Sequence, residues 1–265
     1  MISALFALLS IFPVSFFAFA LSQRLIAKHE SRVGRSILFL DFLWQTWLDS
    51  WVELKEIVPR WRWAVYALQF SIIFLFNYDL EYLVFAYLAL NGFVLAHLGK
   101  VVSSPTQQIE ADRLQVRFSI ATGIAALCVF GCFTISKSTS LAQVHWSWLD
   151  LFFIIPFQLS GMILFGEHPF EGMSHRTGWV ESARFYAWSM LGTKLFLGGG
   201  VFFFDLHLKS IVIYLVFRVF GIYFPTFHQR DLLRIGILYL FPITALLWLV
   251  AMLAFGMIQA GGAHV

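Results

Sequence analysis

The chain has 265 residues, of which 60% are hydrophobic and only 12% charged, with a net charge of +3 and a mean hydropathy of +0.78. A soluble globular domain is about half apolar and about a quarter charged, so this composition excludes that class and points to an integral membrane protein. The 31 Phe and 10 Trp fit helices that face lipid and headgroup belts, and the weak net charge gives no basic surface for nucleic acid.

A spanning helix needs about 20 apolar residues, because lipid offers its backbone no hydrogen-bond partner. In chain order the apolar runs fall at 2–22, 63–77, 81–99, 116–135, 149–166, 185–204, 209–225 and 235–258. The expected fold class is therefore an all-α integral membrane protein of about eight transmembrane helices, one polytopic domain over 1–265. The first run has no charged residue before it and no clean small-residue cleavage site, and reads as a retained helix.

Charge orients these helices. Arg24, Lys28, Arg32, Arg35, Lys55, Arg60, Arg62, Lys100, Arg113, Arg117, Arg176, Arg184, Arg230 and Arg234 all fall at the odd-numbered connections, against Lys137 and Lys209 at the even ones. By the positive-inside rule the odd connections are cytoplasmic and both termini lie outside, in a membrane expected to be the bacterial cytoplasmic one.

The first inner connection holds ILFLDFLWQTWLDSWVELKEI. Leu40, Leu43, Trp44, Trp47, Leu48, Trp51 and Leu54 recur at helical spacing, opposite Asp41, Gln45, Asp49, Glu53 and Glu56. That pattern predicts an amphipathic interfacial helix over about 38–57, either a strut or the floor of a site for an amphipathic ligand. Cys128 and Cys132, one turn apart in an apolar run, read as packing residues. His168, Glu171, His175, Arg176 and Glu181 crowd the loop after the fifth run, but their spacing matches no closed zinc pattern, and no metal is expected. Docking of a soluble partner suits that loop better, and proton handling is a second reading.

Two cations lie in apolar runs. Lys194, in AWSMLGTKLFLGGGVFFF, is expected near the middle of its span, where a lysine costs about 2.5–3.5 kcal/mol and requires a partner or a hydrated path. Arg218, about two turns from the cytoplasmic end of its helix, is expected to pair structurally with headgroups or loop acids. The glycines at 198–200 allow either close helix approach or a local break.

Three stretches resemble the membrane protein that joins the peripheral and membrane arms of respiratory complex I, the NADH-quinone oxidoreductase, where it is subunit 1 in mitochondria, and of the related membrane-bound hydrogenases. QRLIAKHESRVGR contains Arg32, Val33 and Gly34, and the chain runs on to Gln45, Asp49, Lys55, Glu56 and Pro59. HPFEGMSHRTGWVESARFY carries Pro169, Phe170, Glu171, Glu181 and Tyr186. PTFHQRDLLRIGILYLFP aligns without a gap at Pro225, Phe227, Leu232, Arg234, Gly236 and Pro242.

The resemblance implies a subunit that joins a cytoplasmic redox arm to antiporter-like, ion-transporting subunits and lines a quinone-type cavity. Such a subunit would be non-catalytic alone in a quinone reductase or hydrogenase-like complex. It implies no cofactor bound by this chain, quinone as a ligand class, iron–sulfur clusters in hydrophilic partner subunits, and membrane lipid around the helices. Arg24, Lys28, Arg32, Arg35, Asp49, Glu171, Glu181, Arg230, Asp231 and Arg234 would form the cavity or docking face, and Lys194, Glu167 and Arg218 an ion path.

The sequence departs from the family at its proton-carrying acids. Leu164 and Glu167 stand near positions where the family brings a Glu and an Arg, Phe118, Ser119 and Ile120 near its Ser-Tyr-Glu, Gly198 near a further acid, and Ile237 and Leu238 replace a Trp-Lys pair. Two alternatives therefore stand beside the junction subunit: an anchor without its own proton path, and an independent transporter whose Lys194 and Arg218 read an anionic substrate.

Overall fold

A computed structural model describes residues 10, 13–22, 24–25, 44, 105–136, 150–165, 178–198, 203–223 and 234–262. All the regular structure among them is helical. The elements are α1 (Pro13–Ser22), α2 (Pro105–Ser136), α3 (Asp150–Phe165), α4 (Gly178–Phe196), α5 (Phe203–Tyr223), a π-helical turn (Gly236–Leu240) and α6 (Phe241–Gly262). The stretches Gln115–Ile135 and Gly236–Leu253 are long and apolar enough to cross a membrane, and Pro13–Ser22 and Asp150–Leu164 are shorter apolar helices. The expected spans at 63–77 and 81–99, and all of the 38–57 helix except Trp44, lie outside the described residues; Trp44 is helical and exposed.

Several boundaries differ from those the hydropathy predicts. α2 begins at Pro105, so Arg113 and Arg117 lie on a helix and not in a loop, and Arg117 is buried. Proline suits that first position because it has no N–H to leave unsatisfied there. α4 starts at Gly178, which makes Glu181 and the buried Arg184 helical as well.

α4 also ends early, at Phe196. Leu197 N–H closes the last turn on the Thr193 carbonyl (3.0 Å), and Gly198 follows at φ 71°, a conformation that a side chain would disfavour. Lys194 consequently stands in the last turn of α4, not mid-span, where the helix's carbonyl end favours a cation. The glycines at 198–200 thus begin with a helix stop, while the apolar residues on both sides make the run look continuous.

The turn Gly236–Leu240 answers to Pro242. Proline in a helix clashes with the carbonyl four residues back, here Leu238. Widening the preceding turn to π geometry, with Phe241 N–H bonded to the Gly236 carbonyl, accommodates it.

The helices pack as a meander, α2 on α3, α3 on α4 and α4 on α5, with α6 returning against α2. Glycines set how close they come. A Cβ on Gly131 of α2 would overlap the Phe153 ring of α3, one on Gly161 of α3 would overlap the Trp188 indole of α4, and one on Gly192 of α4 would overlap the Gln158 amide of α3. Trp188 uses its access to stack on Phe157 (centroids 4.6 Å apart, 8° between planes) and to donate to the Phe157 carbonyl (3.0 Å). Cys128 and Cys132 are buried free thiols, and Cys132 Sγ lies 3.2 Å from the Leu195 carbonyl, tying α2 to α4.

Trp188 is fixed by its stack and its hydrogen bond, so it cannot yield to a methyl group. Gly161→Ala should therefore lower stability by about 1–3 kcal/mol through overpacking. Gly123→Ala, whose Cβ would meet Phe241 at an ordinary 3.4 Å, should be neutral or stabilising by about 0.5–1 kcal/mol. Unfolding midpoints of the two purified variants in one detergent test the contrast, and equal midpoints would contradict it.

Candidate functional site

α4 and α5 face each other along two rows of polar side chains. On α4 the row is Ser182, Tyr186, Ser189 and Thr193; on α5 it is His207, Ser210, Tyr214 and Arg218. Steps of three and four residues keep each row on one helical face. All of these except Arg218 are buried, while the opposite side of α5 exposes Phe204, Leu208, Val212, Val216 and Phe220 at every fourth residue. α5 is thus polar toward its neighbours and apolar outward, the sense expected of a helix against lipid.

The rows make three groups of contacts. Where α4 starts and α5 finishes, Tyr214 OH donates to Ser182 Oγ (2.9 Å), and the Arg218 guanidinium donates to Ser182 Oγ (2.8 Å) and Tyr214 OH (3.3 Å). The Arg218 guanidinium carbon also lies 5.9 Å from the Tyr214 ring centroid. Arg218 is therefore paired structurally, as expected, but these partners are neutral hydroxyls where headgroups or loop acids were anticipated.

In the second group His207 stands between two hydroxyls. Its Nδ1 is 2.7 Å from Tyr186 OH and its Nε2 is 3.2 Å from Ser10 Oγ, one turn ahead of α1. The Tyr186 and His207 rings are parallel within 4°, and Tyr214 meets Tyr186 edge-on at 6.0 Å. This contact joins α4 and α5 to the residue three positions ahead of α1.

The third group runs toward α3. Ser210 Oγ donates to Thr193 Oγ1 (3.2 Å), whose own proton goes to the Ser189 carbonyl (2.8 Å), and Ser189 Oγ donates to Gln158 Oε1 (3.2 Å). The hydrogen bonds of this third group run between hydroxyl, carbonyl and amide groups. Asp205, in the first turn of α5, bonds instead to Lys209 at 2.9 Å, one turn along its own helix.

Of the residues expected to form the cytoplasmic face, Arg24 and Arg234 are exposed and Glu181 lies on the first turn of α4. Lys28, Arg32, Arg35, Asp49, Glu167, Glu171, Arg230 and Asp231 lie outside the described residues. Lys194 and Arg218 are not brought together: Arg218 binds Ser182 near the start of α4, and Lys194 lies at its finish, about 18 Å away along the helix. The residues missed from the sequence are Ser10, Ser182, Ser189, Thr193, His207, Ser210 and Tyr214. The repeat of polar residues at steps of three and four on two consecutive apolar helices was the signal for most of them.

No known protein family profile matches the chain, and no curated protein matches it. Its fold is nevertheless shared with a chain of a solved assembly described as the membrane-bound sulfane sulfur reductase, an archaeal respiratory membrane complex. The TM-score is 0.70 at 16% identity, over 94% of this chain and 98% of that one. At that identity the similarity is one of fold, carried over nearly the full length of both chains.

Ser182 accepts from both a tyrosine and a guanidinium, so its loss strands a charged donor. Ser182→Ala should cost about 1.5–3 kcal/mol, more than the roughly 1 kcal/mol of Tyr214→Phe. Adding Arg218→Met to Ser182→Ala should restore much of that stability, because no half-buried charged donor is then left without its Ser182 acceptor. Denaturant unfolding in detergent of the unaltered chain, Ser182→Ala, Arg218→Met and the double variant measures this cycle, and strictly additive losses would contradict it.

Proposed function

We propose that this chain is a membrane subunit of a respiratory complex of the complex I and membrane-bound hydrogenase type, placed between a cytoplasmic redox module and ion-transporting membrane subunits. The observation that carries this reading is the near end-to-end fold match to a chain of a respiratory membrane complex. The order of sequence stretches that resemble the junction subunit supports it independently, because that resemblance concerns loops and charges and the fold match concerns helices.

In this reading Arg24 and Arg234 belong to the cytoplasmic face, with the connections at 23–62 and 167–177 forming the wall of a quinone-type cavity or a docking surface for the redox arm. Electron transfer takes place on cofactors of the partners. This chain holds the arm against the membrane, and its loops transmit the arm's state by favouring one arrangement over another.

The transporter alternative loses its main support. It required Lys194 and Arg218 to meet one anionic substrate, yet they lie toward opposite ends of α4, and Arg218 is engaged by Ser182 and Tyr214.

Mild-detergent purification of the tagged chain from its native membrane, with mass spectrometry of what accompanies it, tests the proposal. Recovery of a hydrophilic redox subunit together with antiporter-like membrane subunits is the expected result. Folded protein recovered alone and in good yield would sink it. The double variant Arg24→Glu, Arg234→Glu should reduce recovery of the hydrophilic subunits several-fold and spare the membrane partners, since charges at an interface rim steer one partner class selectively.

A further inference from the structure

Arg218 is held along one edge of its guanidinium. Such a group presents five N–H donors in a rigid plane, one pair along the side edge shared by Nε and Nη2 and the rest around the far end. Nε donates to Tyr214 OH (3.3 Å) and Nη2 to Ser182 Oγ (2.8 Å), which commits the side edge. Among the described residues Arg218 has no further hydrogen-bond partner and no carboxylate partner. We propose that the open end of the Arg218 guanidinium binds a phosphate oxyanion, supplied by the headgroup of an anionic phospholipid. The proposal goes beyond the assembly reading and requires only that the chain lie in a membrane.

Charge carries the argument first. Ser182 and Tyr214 are neutral, so they satisfy N–H groups and leave the positive charge uncompensated. A cation on a membrane helix pairs with an anion or extends to one at the surface. Arg218 is half-buried and stands five residues before the end of α5 at Tyr223, about 7.5 Å along the axis. Ser182 stands four residues past the start of α4 at Gly178, about 6 Å. Both lie near one end of the helix pair, on the side that the basic connections mark as cytoplasmic. Lipid phosphates are the anions met at that depth, and basic pockets between helices on that side suit anionic headgroups.

Geometry then gives the site a direction. The bonds to Tyr214 and Ser182, with the guanidinium carbon 5.9 Å from the Tyr214 ring centroid, fix the guanidinium plane. Nη1 makes no hydrogen bond and is not fully enclosed, so the open end can be reached from outside. Two oxygens of one phosphate can meet the outer N–H groups of Nη1 and Nη2 together, a bidentate arrangement that lysine cannot reproduce. Ser182 and Tyr214 are positioning residues for it. A headgroup of net negative charge is favoured over a zwitterionic one, whose choline already offsets its phosphate.

Native mass spectrometry of the full chain, purified in mild detergent with any subunits that accompany it, tests the site. The titrants are phosphatidylglycerol and phosphatidylcholine with identical acyl chains. The unaltered chain should hold its first phosphatidylglycerol several-fold more tightly than phosphatidylcholine. Arg218→Met should weaken that phosphatidylglycerol several-fold, and Arg218→Lys, which keeps the charge and loses the fork, nearly as much. Phosphatidylcholine should bind all three chains alike. Competing inorganic phosphate separates the two sources of the oxyanion: lipid that stays bound supports the headgroup, and ready displacement would overturn the lipid source in favour of soluble phosphate. Equal affinity of the unaltered chain for the two lipids, or full preference retained by Arg218→Lys, would overturn the site. If the Arg218 variants do not fold, Tyr214→Phe, the mildest of the changes at this cluster, decides: freeing Nε should loosen the guanidinium plane and weaken the first phosphatidylglycerol, and an unchanged affinity would sink the proposal. Lipid binding needs no partner subunit, so a negative result would leave the assembly reading standing.

Discussion

Close approach of α2, α3 and α4 at glycine is the constraint on which the rest of the structure depends. Between apolar helices in lipid there is no water to expel, so association rests on contact area and on hydrogen bonds between helices. Gly131, Gly161 and Gly192 each give up a side chain so that a neighbour's Phe153, Trp188 or Gln158 can lie against helix backbone. Trp188 then stacks on Phe157 and bonds to its carbonyl, an aromatic contact and a hydrogen bond at one place. With α4 pinned in this way on one side, its other side presents Ser182, Tyr186 and Thr193 to α5.

Hydroxyl-bearing residues suit that second contact. A serine or threonine in an apolar helix can return its proton to the carbonyl one turn back, as Ser189 does to Phe185 (2.9 Å) and Ser210 to Leu206 (2.6 Å). Each single proton is thus shared between that local carbonyl and an acceptor across the interface, Gln158 Oε1 for Ser189 and Thr193 Oγ1 for Ser210. Tyr214 and Arg218, which have no such local outlet, meet at Ser182 instead. The seam lets α5 keep polar groups inward and a ridge of Phe, Leu and Val outward, so its average hydropathy understates how well it suits a membrane.

The sequence made the apolar helices legible where composition alone decides them. The runs at 149–166 and 235–258 correspond closely to α3 and to the π turn with α6. It misplaced the end of α4 because hydropathy continues through LFLGGGVFFF while the backbone stops at Gly198, and that stop moved Lys194 from mid-span to a helix terminus. It placed Arg117 and Arg184 in loops because a charge was taken to mark a connection, whereas both are buried on helices. The seam was visible as spacing, but scattered serines in a hydrophobic run carry little weight until a second helix is seen opposite them. Ser10 could not be linked to His207 from sequence at all, since 197 positions separate them.

The contrast between hydroxyls and carboxylates bears on how the contact between α4 and α5 could change. A buried carboxylate path carries charge in one of its states and needs cations or several donors to hold it. The seam described here is made of hydroxyls, an amide and an imidazole, with Arg218 at one end. A conformational signal can alter such a seam only by changing which helices its members join. α4 is tied to α3 by Trp188 and to α2 by Cys132, which leaves little freedom there. Ser10, three residues ahead of α1, meets α5 at His207. A small shift at Ser10 would open the 3.2 Å contact to Nε2 and leave the 2.7 Å contact to Tyr186 in place, so the seam is more easily altered there than where Trp188 holds α4 on α3.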